Sequence, residues 1–190
     1  MGGLAVVPAF RRPSSTCYNK GHLEEGVVLI TYHASVDGTA GLLINKPTNF
    51  CLKDIIEPTG MEPFAHNPVF FGGCDGENGD VGFMHSHSNI NGSREILPGL
   101  YIGGDIFEAV NLVHSGQACP EDFTFFLQQI VWKPGQLSRH AKQGDWHLAA
   151  CSQELVERGP KMHATLWREI MRLLGGKYSL VARELYKELC

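Results

Sequence analysis

The chain reads as a single α+β domain. Apolar, β-branched runs crowd its first three quarters, and helical periodicity takes over near its end. Glycine supplies 22 of 190 residues, well above the usual ~7%, so short strands joined by tight turns are expected. Residues 27–32 (VVLITY) and 40–44 (AGLLI) read as two core strands, with the turn dipeptide Asp37–Gly38 between them. Pro47 cannot donate to a ladder and ends the second strand. Leu52, Ile55 and Ile56 lie at helical spacing and predict a short helix over 50–57, which Pro58, Gly60 and Pro63 keep from continuing. Residues 68–71 (PVFF) read as a strand and the glycine-rich stretch 72–82 as a loop. Strands are expected at 82–87 and 97–103. Asp105 can cap a helix whose apolar face is Ile106, Ala109, Val110 and Val113, ending at Gly116. Residues 123–132 (FTFFLQQIVW) read as one strand stopped by Pro134–Gly135. A short helix over 136–143 and a strand over 146–150 come next. Met162, Leu166, Ile170, Leu173 and Leu174 mark a helix ending at Gly175–Gly176. Tyr178, Val181, Leu185 and Leu189 mark a last amphipathic helix.

Composition excludes several classes. With 43% hydrophobic and 19% charged residues the chain is neither disordered nor a membrane protein. No apolar run is long enough to span a bilayer. Sixteen basic against 20 acidic side chains leave a net charge of -4, which argues against nucleic-acid binding. The six cysteines contain no C-x-x-C pair, which argues against a zinc knuckle. They read as free thiols of a reducing compartment. Residues 1–24 read as an N-terminal arm: Arg11, Arg12 and Lys20 stand among serines, and the first acid is Glu24. Such a segment is the tail of an organellar transit peptide, mitochondrial or plastid, or a flexible arm of a cytoplasmic protein. Asn91–Gly92–Ser93 reads as a turn.

The residues that could carry chemistry are few. His85 and His87 are two apart, so on a strand both face one side; a metal site would need further ligands from Cys74, Asp75 or Asp80 on the neighbouring loop. Cys74 could be a nucleophile if His85 lowered its pKa, but the loop acids oppose that. The acidic loop 75–80 fails the EF-hand order. Gly103–Gly104 lacks the rest of a nucleotide-binding fingerprint. Trp132 reads as a packing anchor at a strand end. The stripe Tyr178, Val181, Leu185 and Leu189 must be buried on the domain or on a partner.

Six segments occur in the order and spacing of one known family: VVLITYHASVDGTAGLLINKP (27–47), PVFFGG (68–73), VGFMHSH (81–87), PGLYIGGD (98–105), VWKPGQL (131–137) and GDW (144–146). Together with LWREIMRLLGG (166–176), they make residues 25–176 resemble the AlgH/YqgE family. The resemblance implies a bifurcated, bent β-sheet forming a pseudo-barrel flanked by helices. It implies no established reaction and carries over no catalytic set, and the family name points to transcriptional control. The chain departs from the pattern at three places. Gln128–Gln129–Ile130–Val131–Trp132 replaces a glycine–aromatic run, Ser138–Arg139 follows Gln136–Leu137 where an acid is usual, and Ser86 falls at the family's histidine position with His85 and His87 beside it. Residues 177–190 extend past the usual end as a separate C-terminal helix.

The expectation is a non-catalytic accessory or interaction protein, a subunit of a larger organellar assembly, with protein partners, no cofactor and no metal. A transcription-related regulator is one alternative. A thiol- or metal-dependent enzyme centred on Cys74, His85 and His87 is the other. The residues singled out for a pocket or interaction surface are Cys74, His85, His87, Trp132, Tyr178, Val181, Leu185 and Leu189.

Overall fold

The computed structural model describes residues 3–8, 24–77 and 80–187. Their elements in chain order are β1 (Gly3–Pro8), β2 (Val28–Ala34), β3 (Gly38–Leu43), β4 (Pro47–Cys51), β5 (Pro68–Phe71), β6 (Val81–His85), β7 (Arg94–Leu97), β8 (Leu100–Ile102), α1 (Ile106–His114), β9 (Thr124–Leu127), β10 (Ile130–Trp132), α2 (Gln136–Gln143), β11 (Trp146–Cys151), α3 (Gln153–Arg158), α4 (Leu166–Leu174) and α5 (Gly176–Lys187). The strands form two sheets. Sheet one is antiparallel, in the order β10-β3-β2-β1-β11, and sheet two runs β4-β5-β9-β6-β8-β7 with β5 and β9 parallel. The class is α+β. Register shifts at Ile30/Tyr32 and Glu95/Leu97 bend the strands. Both sheets keep open edges, so the expected pseudo-barrel is a pair of bent sheets and not a closed barrel among the described residues.

Period-two alternation distributes the apolar side chains over three clusters. Leu29 and Leu42 of sheet one meet Phe70, Met84 and Phe126 of sheet two, under Val156 of α3 and Leu166, Trp167, Ile170 and Met171 of α4. On the far side of sheet two, Val69, Phe83 and Phe125 pack on Ala109 and Val110 of α1. Asp105 caps α1 as expected, its Oδ1 accepting from the N–H of Phe107 at 2.8 Å. On the far side of sheet one, Val28, Leu43, Trp132 and Trp146 pack with Leu137 of α2.

The sheets branch where the chain crosses between them. Phe126 and Leu127 belong to sheet two, while Ile130 and Val131 already pair with β3 of sheet one. Gln128 makes the corner at φ +61. Gly72–Gly73 lies flat against this corner. A Cβ on Gly73 would stand 2.0 Å from the carbonyl carbon of Gln129, and one on Gly72 2.3 Å from the oxygen of Gln128. The N–H groups of Leu43 and Gly72 donate across the branch to Gly72 and Leu127, each at 2.8 Å.

Several expectations are corrected. The single strand at 123–132 is two strands in different sheets, because a left-handed residue interrupts an otherwise apolar run. The strand at 97–103 is the hairpin β7–β8, turned at Pro98–Gly99. The helix at 50–57 is only a 3-10 turn over Leu52–Asp54 after β4, with the N–H of Cys51 donating to Asp54 Oδ2 at 2.8 Å. The apolar residues near the start form β1, inserted between β2 and β11. Cys74 is not a free thiol: it is disulfide-bonded. Cys51, Cys119 and Cys151 are free. Composition and spacing cannot reveal which cysteines folding brings together.

Candidate ligand-binding cleft

An open cleft of about 300 Å³ lies where the two sheets diverge. Thr31 and Leu42 contribute from sheet one, Gly82, Phe83, Arg94 and Ile102 from sheet two, Asp80 from the loop before β6, and Gln128 and Gln129 from the corner. Glycine makes the room. Gly82 and Gly103 have no atom within 4 Å of where a Cβ would stand, so backbone is exposed on the cleft floor. Gly82 and Met84 share one side of β6, the side facing sheet one, while Phe83 and His85 face α1's side.

Polar groups ring this floor. Arg94 begins β7 and reaches across to sheet one. Its Nη1 donates to the carbonyl of Thr31, and its guanidinium stands 5.7 Å from the centre of the Tyr32 ring. Tyr32 in turn donates to Asp37 Oδ2 at 3.0 Å, and that bond is the main reason its pKa is raised. Arg94 has no carboxylate partner among the described residues. Gln128 is held on both sides: its N–H donates to the Asp80 carbonyl at 2.8 Å, and its Nε2 to the Gly76 carbonyl at 3.2 Å. A non-glycine residue in the left-handed region at a cleft wall is backbone strain of the kind that collects at binding sites.

The walls are braced from outside. Asp75 exchanges backbone hydrogen bonds with Gln129 at 2.8 and 3.1 Å and accepts from the Val131 N–H at 2.8 Å through Oδ2. This acid of the loop is thus spent on fixing the corner. The turn at Asn91 is clamped to α1, its N–H and Nδ2 donating to Glu108 at 2.7 and 2.6 Å.

The histidines stand behind the cleft. His85 is buried, with Nε2 donating to the Gly103 carbonyl at 3.0 Å and Nδ1 accepting from the His87 N–H at 3.2 Å. That pattern is one neutral tautomer, protonated at Nε2, whose one ligating lone pair on Nδ1 is already taken by the His87 N–H. Burial pushes its pKa down, partly opposed by the bond to Gly103. His87 stacks on Phe123 with ring centres 5.2 Å apart, and its Nε2 stands 3.4 Å from Asp122 Oδ2 without hydrogen-bond geometry. Asp122 is already held by the Cys119 N–H at 2.8 Å. No group of three metal-ligating side chains exists among the described residues.

Of the residues singled out from sequence, His85 reaches the cleft lining through its hydrogen bond to Gly103. Cys74 is outside it and disulfide-bonded. Trp132 lies fully buried beyond sheet one, edge-on to Trp146 at 5.7 Å. Tyr178 and Val181 pack back on the inter-sheet core. The side chains of Leu185 and Leu189 lie outside the described residues. Sequence reading missed Arg94, Gly82, Gln128 and Gln129. The only signal was the unusual Gln128–Gln129 pair in place of the glycine–aromatic run.

Comparison with known proteins finds chains similar to this one in sequence and in fold. The AlgH-like family model matches residues 14–179. A UPF0301 protein of Chlorobium luteolum is 32% identical over 156 residues, covering 82% of this chain and 79% of that protein. A UPF0301 protein of Chlamydia abortus is 31% identical over 165 residues, covering 85% and 82%. The solution structure of AlgH from Pseudomonas aeruginosa superposes with a TM-score of 0.66 at 17% identity, covering 94% of this chain and 91% of that one. A crystal structure from Corynebacterium diphtheriae gives 0.60 at 18% identity, covering 95% and 91%.

Proposed function

The chain belongs to the AlgH-like family, and on that premise we propose that it is a non-catalytic recognition protein, an accessory component of a larger assembly that presents the inter-sheet cleft to what it binds. One observation carries this reading. The cleft is braced open, floored by glycine and lined by a guanidinium that no carboxylate among the described residues neutralises. The groups that could do bond-making chemistry nearby are engaged in internal bonds: Cys74 in a disulfide, both nitrogens of His85, and Asp75 and Asp122 on backbone N–H groups. No helix among the described residues is long and apolar enough to cross a membrane.

Gentle isolation of the full chain, followed by identification of what co-purifies, tests the proposal. A defined set of proteins should accompany the wild type and be depleted when Gly82→Ile fills the cleft. Unchanged association in that variant would remove the cleft from the account. A regulator would instead show DNA binding that weakens steeply with salt. The net charge of -4 favours the accessory reading over that one.

A further inference from the structure

The cleft's charge pattern narrows what it can bind. Arg94 stands on one side and Asp80 on another, and they form no ion pair with each other. A simple anion would meet the Asp80 carboxylate, and a simple cation would meet the Arg94 guanidinium. A ligand carrying both charges, correctly spaced, satisfies both.

The register sets that spacing. Met84, Ile102 and Arg94 stand abreast across β6, β8 and β7. Two strand spacings of about 4.8 Å, and four residues of strand at about 3.3 Å each back to Asp80, separate the two Cα atoms by roughly 16 Å. An arginine and an aspartate side chain can together take up several ångströms of that distance, and the ligand must span the rest. The amino and carboxyl groups of a single amino acid are attached to one carbon and cannot reach both. Two or three extended residues span about 7–10 Å.

The remaining lining suits such a chain. Gln128 and Gln129 stand on the wall, the Gln128 amide donating to the Gly76 carbonyl, and Gly82 and Gly103 leave main chain uncovered on the floor. Leu42 and Ile102 supply an apolar strip for one side chain. At about 300 Å³ the volume sits at the small end of ligand pockets.

We propose that the cleft binds free di- or tripeptides as zwitterions, with the terminal carboxylate at Arg94 and the terminal ammonium at Asp80. The inference rests on the reading of the cleft as a binding site and names its ligand class.

The test is calorimetric titration of the full chain with L-alanyl-L-leucine, its N-acetyl form, its C-amide, succinate and inorganic phosphate. The free dipeptide should bind saturably, and blocking either end should weaken binding at least tenfold. Arg94→Gln should erase the difference between free acid and amide. Asp80→Asn should erase the difference between free and acetylated amine. Gly82→Ile, checked for unchanged folding by thermal melting, should abolish binding. Equal binding of blocked and free peptides, binding of succinate or phosphate in their place, or no binding by any probe would overturn the proposal. The two readings fail separately. If Gly82→Ile still strips co-purifying proteins while no peptide binds, the ligand class falls and the binding role stands.

Discussion

One substitution made at two glycines should move stability in opposite directions. At Gly73 an added Cβ would lie 2.0, 2.1 and 2.5 Å from the carbonyl carbon and oxygen of Gln129 and the nitrogen of Ile130. All three are backbone atoms, so no side chain can swing aside. Restoring ordinary contact requires the corner to retreat by more than an ångström. That movement strains the bonds that hold it, from Asp75 N–H to the Gln129 carbonyl at 2.8 Å and from Gly72 N–H to the Leu127 carbonyl at 2.8 Å. Overpacking costs about 1–3 kcal/mol, and loosening one of these bonds adds about 1 kcal/mol. Gly73→Ala should therefore cost roughly 2–4 kcal/mol. At Gly82 the new Cβ meets nothing within 4 Å, and the backbone is not in the left-handed region. Gly82→Ala should stabilise by about 0.4–1 kcal/mol, through the unfolded chain. In a domain of this size about 2–4 °C accompany each kcal/mol. Calorimetric melting should then show Gly73→Ala roughly 10 °C below wild type and Gly82→Ala at or slightly above it. A Gly73→Ala protein melting within about 2 °C of wild type would refute the claim that the branch depends on close backbone approach. So would a large loss at Gly82.

Two further predictions concern buried polar groups. Asn45 accepts from the Val27 N–H at 2.7 Å and donates to the carbonyls of Glu25 and His163 at 2.9 and 3.3 Å. Asn45→Asp keeps the acceptor and turns both donor contacts into oxygen–oxygen repulsion; a loss of about 3 kcal/mol is expected, read as an earlier urea midpoint at unchanged slope. A midpoint equal to wild type would show that this staple holds nothing. The pKa of His85 is pushed down by burial, and that of His147 by burial and then by the Lys177 charge. The unfolded chain therefore takes up protons below about pH 6.5 that the folded chain refuses. Stability is complete above that pH and falls as pH drops through it toward the folded values. Melting temperature should be level from about pH 8 to 7 and decline from about 6.5 to 5; a rise on acidification would contradict the assignment.

Much of the scaffold is legible in the order of the amino acids. The runs at 27–32 and 40–44 form β2 and β3 because β-branched residues flank a turn whose glycine sits at φ +103. Asp105 announces α1 because a cap is a local device. The failures share one cause, which is that the deciding contact lies far along the chain. Gln128 looks like any polar residue in a strand until Gly72–Gly73 presses against it. Cys74 reads as free because nothing in its local sequence announces that it is disulfide-bonded. The cleft is hidden for the same reason. Its cation is in β7, its acid precedes β6 and its amides come after β9, and sheet pairing alone brings them together.

The strand order also bears on how the molecule comes into being. β1 is laid between β2 and β11, with Gly3 opposite Cys151, and all of sheet two is synthesised between the hairpin β2–β3 and its neighbour β10. A nascent chain leaving the ribosome can close β2 on β3 early, but it must carry one edge of that hairpin uncovered until Ile130–Trp132 emerges. Sequence-distant pairing of this kind slows folding. The half-made domain therefore exposes an unpaired strand edge for as long as sheet two is being synthesised.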